Sequence, residues 1–255
     1  MKWRAILFGL NYKHCPEGHL EGAINDTHTM GNLLLSLLGG SKDNLAIYTD
    51  DVDLQDTSHT GIVQSIYKLT HQALVEKLEL VIIHYSGHGS YVTDSSGDEE
   101  DSRDEVICPS DFLTAGMIKD DILSAMLSYF PKTTRVITIF DSCHSGSVTD
   151  LKYRWNGTKK NIENRQSLCY NNIISLSGCS DTQTSADAMI NHSAGGAMTV
   201  CLCKVIKKDP SLCYDIFKLV RELRIELMNG GYDQVPQLCS SYDLVNDKVF
   251  LPIRM

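Results

Sequence analysis

No stretch of the chain is apolar for long enough to cross a membrane. The N-terminal run AILFGL is too short for a secretory signal core and has no small-residue cleavage site behind it. Positive charge is scarce. With 23 lysines and arginines against 32 aspartates and glutamates, the formal net charge is −9, which argues against nucleic acid or an anionic membrane as the main partner and permits cations or basic peptides. The nine cysteines form no CxxC pair and no Cys/His zinc spacing, so they read as mostly buried, reduced thiols of a cytoplasmic protein. The NxS/T sequons at Asn25, Asn156 and Asn191 mean nothing without a secretory signal. No internal repeat or low-complexity tract is present.

What is there is an alternation of strand-like and helix-like segments. WRAILFGL (3–10), NLAIYT (44–49), LELVIIHY (78–85), RVITIF (135–140) and NIISLSG (172–178) read as strands. Their near-continuous apolar character predicts a parallel sheet buried on both faces. Helical periodicity marks Asn25–Leu38, with Asn25 or Asp26 as cap, together with 58–76 and 120–129. Two further helices are expected at about 195–207 and 211–228, with strand pieces PQLCSS and KVFLPI closing the chain. The polar stretch 151–171 reads as an exposed linker. The order predicts a doubly wound α/β fold, in which chemistry sits beyond the carboxyl ends of the strands.

Two motifs occupy that position, HYSGHG (84–89) and DSCHSG (141–146). Cys143 stands at a strand-to-loop junction followed by small residues, as a nucleophilic thiol with room for a carbonyl substrate requires. Its base is either the adjacent His144 or the distant His88. Neighbours in extended chain point to opposite sides, so His144 needs a contorted turn, whereas His88, at the end of an adjoining parallel strand, can approach. His84 and His88 are four apart, but a zinc pair at that spacing needs a helix, and this segment reads as strand and glycine turn. His84 reads as a core or rim histidine. Asp141, on the side of Cys143, either orients the base or lines the substrate pocket. Spacing does not choose between these.

Together these motifs resemble those of the caspase-like cysteine peptidases, specifically the type I metacaspases. EGAIND (21–26), DEVICPSDF (104–112), KDDIL (119–123), GGAMT (195–199) and PQLCSS (236–241) carry the likeness through nearly the whole chain. The resemblance implies one caspase-like domain over 1–255, with a mostly parallel sheet flanked by helices on both faces. It would comprise a p20-like region to residue 150, a linker over 151–171 and a p10-like region from 172. The implied activity is cleavage after Arg or Lys through a Cys143/His88 dyad without an essential third member. The N–H groups of Gly89 and Cys143 would form the oxyanion hole, and Asp26, Ser86 and Asp141 would line the pocket for the basic side chain. Ala23 stands where type I members commonly have Cys, which alters one pocket wall.

By the same resemblance calcium is an activator, held by Asp104, Asp120, Asp121 and Asp150, and no organic cofactor is expected. DSSGDEEDSRDE (94–105) has EF-hand oxygen spacing but lacks the glycine at position 6 and a preceding helix, so it is not read as one. Arg154, Lys159, Lys160 and Arg165 are candidate self-cleavage positions. Regulation by a prodomain is not expected, because the chain opens directly on its first strand. The expected partners are protein or peptide substrates with Arg or Lys at the cleavage site, met by a monomer that binds neither nucleic acid nor membrane. The alternative reading is a catalytically weak caspase-fold scaffold acting through protein contacts.

Overall fold

The computed structural model describes residues 1–93, 103–142, 148–165, 167–178 and 196–253. In chain order its elements are β1 (Trp3–Gly9), α1 (Ala23–Leu38), β2 (Leu45–Thr49), α2 (His59–Glu76), β3 (Leu80–Ser86), β4 (Gly89–Thr93) and β5 (Arg103–Ile107). There follow α3 (Phe112–Ala115), β6 (Ile118–Lys119), α4 (Asp120–Ser128), β7 (Arg135–Asp141), β8 (Tyr153–Asn156) and β9 (Lys159–Ile162). The chain closes with β10 (Asn172–Ser177), α5 (Ala197–Lys208), α6 (Ile216–Asn229) and β11 (Gln237–Ser240).

Among the described residues the main sheet runs β2-β1-β3-β7-β10-β11-β8-β9, and β4-β5-β6 form a small second sheet. The first five strands are parallel, and β11, β8 and β9 are antiparallel. This is the mixed α/β fold expected from the sequence.

Helices cover both faces, which explains the unbroken apolar runs. Successive residues of a strand point to opposite faces, and both faces are buried. Leu80, Ile82, Ile137 and Ile139 pack with the stripes of α1, α5 and α6, including Met30, Leu34, Leu202 and Leu223. Val81, Ile83, Val136 and Phe140 pack on the opposite side with Ile62, Ile66 and Leu69 of α2 and Leu123 and Leu127 of α4. Each such side chain contributes about 1.5–3 kcal/mol on leaving water.

Local signals place the helix ends. Ser58 Oγ accepts from Gly61 N at 3.0 Å and starts α2 where the periodicity predicts. The expected cap of α1 is displaced. That helix begins at Ala23 behind Gly22 with no side-chain cap, and Asp26 lies inside its first turn. The helix expected over 211–228 is a short 3-10 turn followed by α6, whose N-cap Asp215 accepts from Lys218 N at 3.2 Å.

Residues 151–171 are not simply an exposed linker. They contain the β8–β9 hairpin, which extends the sheet through β11, with Trp155 opposite Leu238. Trp155 is buried against Phe217 and donates through Nε1 to Ser240 Oγ at 2.7 Å. One indole thus anchors an otherwise polar hairpin. The closing KVFLPI segment forms no strand. Phe250 and Leu251 are nevertheless buried, and their N–H groups reach Cys213 O at 2.8 and 3.2 Å.

Candidate active site

β3 and β7 are hydrogen-bonded neighbours with Ser86 opposite Asp141. His88 stands two residues past Ser86, and Cys143 two residues past Asp141. Residues 143–147 lie outside the described residues, and with them the Cys143 thiol and N–H and the neighbouring His144. Gly89 heads β4, opposite Ile107, directly beside His88.

Two buried tyrosines hold the His88 backbone. The hydroxyls of Tyr12 and Tyr85 lie 2.9 Å apart. Tyr12 Oη accepts from His88 N at 3.0 Å, while Tyr85 Oη lies 2.8 Å from the His88 carbonyl. That carbonyl also accepts from Cys108 N at 3.1 Å. Gly87 makes room for the pair, since a Cβ there would stand 2.8 Å from both hydroxyls. Tyr12 itself has a left-handed backbone, φ 52°, maintained by the Asp50 carboxylate, which accepts from the N–H groups of Asn11 at 3.0 Å and Tyr12 at 2.6 Å.

The ring of His88 faces that of Tyr12 at 4.7 Å between centroids. Its Nε2 is 2.6 Å from the carbonyl oxygen of Gly18. A carbonyl only accepts, so Nε2 carries the proton and the lone pair is on Nδ1. Burial lowers the pKa of His88, and the Gly18 bond opposes this in part. The imidazole is therefore neutral near pH 7, the state a general base needs. The orienting group is a backbone carbonyl, which no residue pattern in the sequence announces.

Asp26, Ser86 and Asp141 come together in the structure. Ser86 Oγ donates to Asp26 Oδ2 at 3.1 Å, and Thr199 N, in the first turn of α5, donates to Asp141 Oδ2 at 2.6 Å. The N-terminus of α5 presses on Asp26, where a Cβ on Gly196 would lie 2.1 Å from Asp26 Oδ2. Burial, then the charge of Asp141, pushes Asp26 up to about 8, against the Ser86 hydrogen bond. Burial also raises Asp141, while hydrogen bonds from Thr199 and Met198 pull it down. Asp141 Oδ1 is buried with no hydrogen-bond partner among the described residues. Two enclosed carboxylates, one with an unused oxygen, suit an entering guanidinium or ammonium group. Ala23 opens α1 and packs in the apolar cluster with Leu10, Tyr12 and Leu20.

A second acid group joins Asp120, Asp121 and Asp150, each offering one oxygen, all within 4.8 Å of one another. Asp120 and Asp150 are buried and Asp121 is exposed. Asp120 accepts from Glu105 N and Asp121 N, both at 2.8 Å. Burial, then the charge of Asp150, pushes Asp120 up to about 7. An all-oxygen set whose charges oppose one another fits a hard divalent cation. The fourth expected ligand, Asp104, is not in this group and is ion-paired with Lys119. Asp104 and Glu105 lie on β5, a strand, where an EF-hand would need its binding loop, and 94–102 lie outside the described residues.

The four basic positions in 151–171 differ. Arg154 is in β8, opposite Cys239, and ion-paired with Glu163. Lys159 and Lys160 are on the edge strand β9, with Lys160 paired to Asp243. Arg165 follows the hairpin and is exposed. His84 is fully buried, with Nε2 3.0 Å from Thr199 Oγ1. Among the described residues, no helix is long and apolar enough to cross a membrane.

A family model described as "Metacaspase, peptidase C14 domain" matches residues 3–152. The chain belongs to the metacaspases, a family of cysteine peptidases. It is 32% identical to Metacaspase-1 of Yarrowia lipolytica over 94% of this chain and 62% of that protein. Against Metacaspase-1 of Schizosaccharomyces pombe the identity is 30%, over 95% of this chain and 68% of the relative. Against that of Meyerozyma guilliermondii it is 32%, over 94% and 69%. The chain thus spans about two thirds of the length of these metacaspases. A crystal structure of a Geobacter sulfurreducens protein matches with a TM-score of 0.62 and 24% identity over 94% of both chains, a likeness of fold.

Proposed function

We propose that this metacaspase is a calcium-dependent endopeptidase that cleaves after Arg or Lys. His88 Nδ1 takes the proton of the Cys143 thiol, and the sulfur attacks the scissile carbonyl carbon. The N–H groups of Gly89 and Cys143 receive the oxyanion. As the C–N bond breaks, the proton on Nδ1 passes to the departing amine and leaves a thioester. Water, deprotonated by His88, then hydrolyses the thioester and restores the thiol. Throughout, the Gly18 carbonyl keeps the Nε2 proton in place.

The observation that carries the specificity is the enclosed pair Asp26 and Asp141, built from the strand and helix ends beside His88. Asp120, Asp121 and Asp150 would hold calcium, with Asp104 joining once parted from Lys119. The bound ion would neutralise a charged cluster and fix the chain around it. The proposal extends to a single, monomeric caspase-like domain acting on cytoplasmic protein substrates, with neither nucleic acid nor membrane as partner. Self-cleavage is assigned to the basic residues of 151–171. Lys159 and Arg165 are the better placed, being exposed and, among the described residues, outside the ion pairs that hold Arg154 and Lys160.

The test is hydrolysis of an Arg-terminated fluorogenic peptide during a calcium titration. Turnover is expected to rise with calcium at about millimolar concentrations and to vanish in Cys143→Ala. Turnover that survives Cys143→Ala, or needs no calcium, contradicts the corresponding part of the proposal.

A further inference from the structure

We propose that Thr199, backed by the buried imidazole of His84, is the positioning residue that aims Asp141 at the basic side chain of the substrate. This rests on the Arg/Lys specificity proposed above. Thr199 is fully buried in the first turn of α5. Its N–H donates to Asp141 Oδ2 at 2.6 Å, and its hydroxyl lies 3.0 Å from His84 Nε2 and helps to pull the Asp141 pKa down, as a donor facing a carboxylate does.

A hydroxyl has one proton to give, and a carboxylate is the stronger acceptor. Thr199 therefore donates to Asp141 and must accept from His84, so the proton of the neutral imidazole is on Nε2. The rest of the site agrees. His84 Nδ1 is buried with no partner among the described residues, which a lone pair tolerates better than an N–H donor would. Burial keeps the ring neutral. The chain His84 Nε2–H, Thr199 Oγ1–H, Asp141 thus runs in one direction across β3, α5 and the end of β7.

The consequence falls on the other oxygen. With Asp141 Oδ2 tied to α5, Oδ1 is left without a hydrogen-bond partner among the described residues. A hydroxyl and an imidazole buried between a strand and a helix would be replaced by well-packed aliphatic side chains if packing were their only purpose. Their value here is to fix the direction of one carboxylate. Asp26 has its own donor in Ser86, so each pocket acid is held by a neutral group from a different element.

The test is a double-mutant cycle on the full chain with an Arg-terminated peptide at saturating calcium. Thr199→Val is expected to raise KM about tenfold and change kcat by less than about twofold, and Thr199→Ser to restore KM. In an Asp141→Asn background, Thr199→Val should add no further loss. An unchanged KM in Thr199→Val, or a penalty that persists in the Asp141→Asn background, overturns the inference. If Asp141→Asn itself leaves Arg turnover intact, the pocket reading fails first. Should Thr199→Val not fold, 15N NMR of the wild-type His84 ring decides. The expectation is a neutral Nε2–H tautomer that does not titrate between pH 5 and 8, and an Nδ1–H tautomer or a titration in that range overturns it.

Discussion

Asp26 with Asp141, and Asp120 with Asp121 and Asp150, are two close-set acid groups built from different neighbours. The first is met by neutral donors, the Ser86 hydroxyl and the amides of α5, and both of its acids are buried. The second has one exposed member and a Lys119–Asp104 ion pair nearby. An enclosed pair with one unused oxygen matches a single organic cation entering end-on. On the proposed reading, the triad, open on one side, would leave its cation part of its water. Acid count alone does not separate the two. The donors around the carboxylates, and the exposure of one of them, do.

The sharpest break between them is mutational. Asp141→Asn is expected to lower kcat/KM on an Arg substrate by about a hundredfold to a thousandfold, as for loss of one partner of a buried charge pair, without moving the calcium midpoint. Asp150→Asn should do the reverse, raising the calcium needed for half-activation by at least about tenfold while leaving KM at saturating calcium unchanged. A calcium titration followed by Michaelis analysis of both variants checks the pair. A variant that moves both quantities would merge the two groups.

A smaller effect follows from protonation. Burial raises both pocket acids, Asp26 the further, to about 8, so the pair retains a proton, held on Asp26, at a pH where unfolded carboxylates are ionised. Their contribution to stability is therefore greatest at low pH and is lost as pH rises through the folded values. A cationic side chain binds the ionised pair, so KM for an Arg substrate should fall roughly tenfold between pH 6 and 8. Burial lowers His88, which moves its titration toward lower pH and away from this limb. A substrate with an uncharged residue at the same position should lack the limb, which pH-resolved KM values test.

The smallest effect is expected at Lys119. Lys119→Met frees the buried Asp104 from a partly exposed partner and should tighten calcium about threefold, the modest effect of a pair whose cation faces solvent, read by isothermal titration. Weaker binding would show that Lys119 supports the site.

The legible parts of the fold were those with strong periodicity or a local cap. β3 and β7 announced themselves by continuous apolar runs, and α2 by Ser58 followed by Ile62, Ile66 and Leu69. The β8–β9 hairpin did not, because its strands YRWN and KKNI are mostly polar and Trp155 alone of them is fully buried. The site was legible where side chains carry it, in the sense that Asp26, Ser86 and Asp141 could be named and lie together. It was illegible where the backbone or a distant partner does the holding. The Gly18 carbonyl on His88, the Tyr12–Tyr85 pair around its peptide groups and the α5 amides on Asp141 depend on tertiary approach. The pairing of Asp104 with Lys119 likewise depends on the β5–β6 register, which places Val106 opposite Lys119.

The central claim, that Asp26 and Asp141 read a positive charge beside the dyad, is tested most directly by one comparison. Two peptides, identical except for arginine or its neutral isostere citrulline at the cleavage position, are hydrolysed by the wild-type chain at saturating calcium. The predicted result is a kcat/KM at least about a hundredfold higher for arginine, as loss of a desolvated charge pair implies. Equal rates on the two peptides would contradict it.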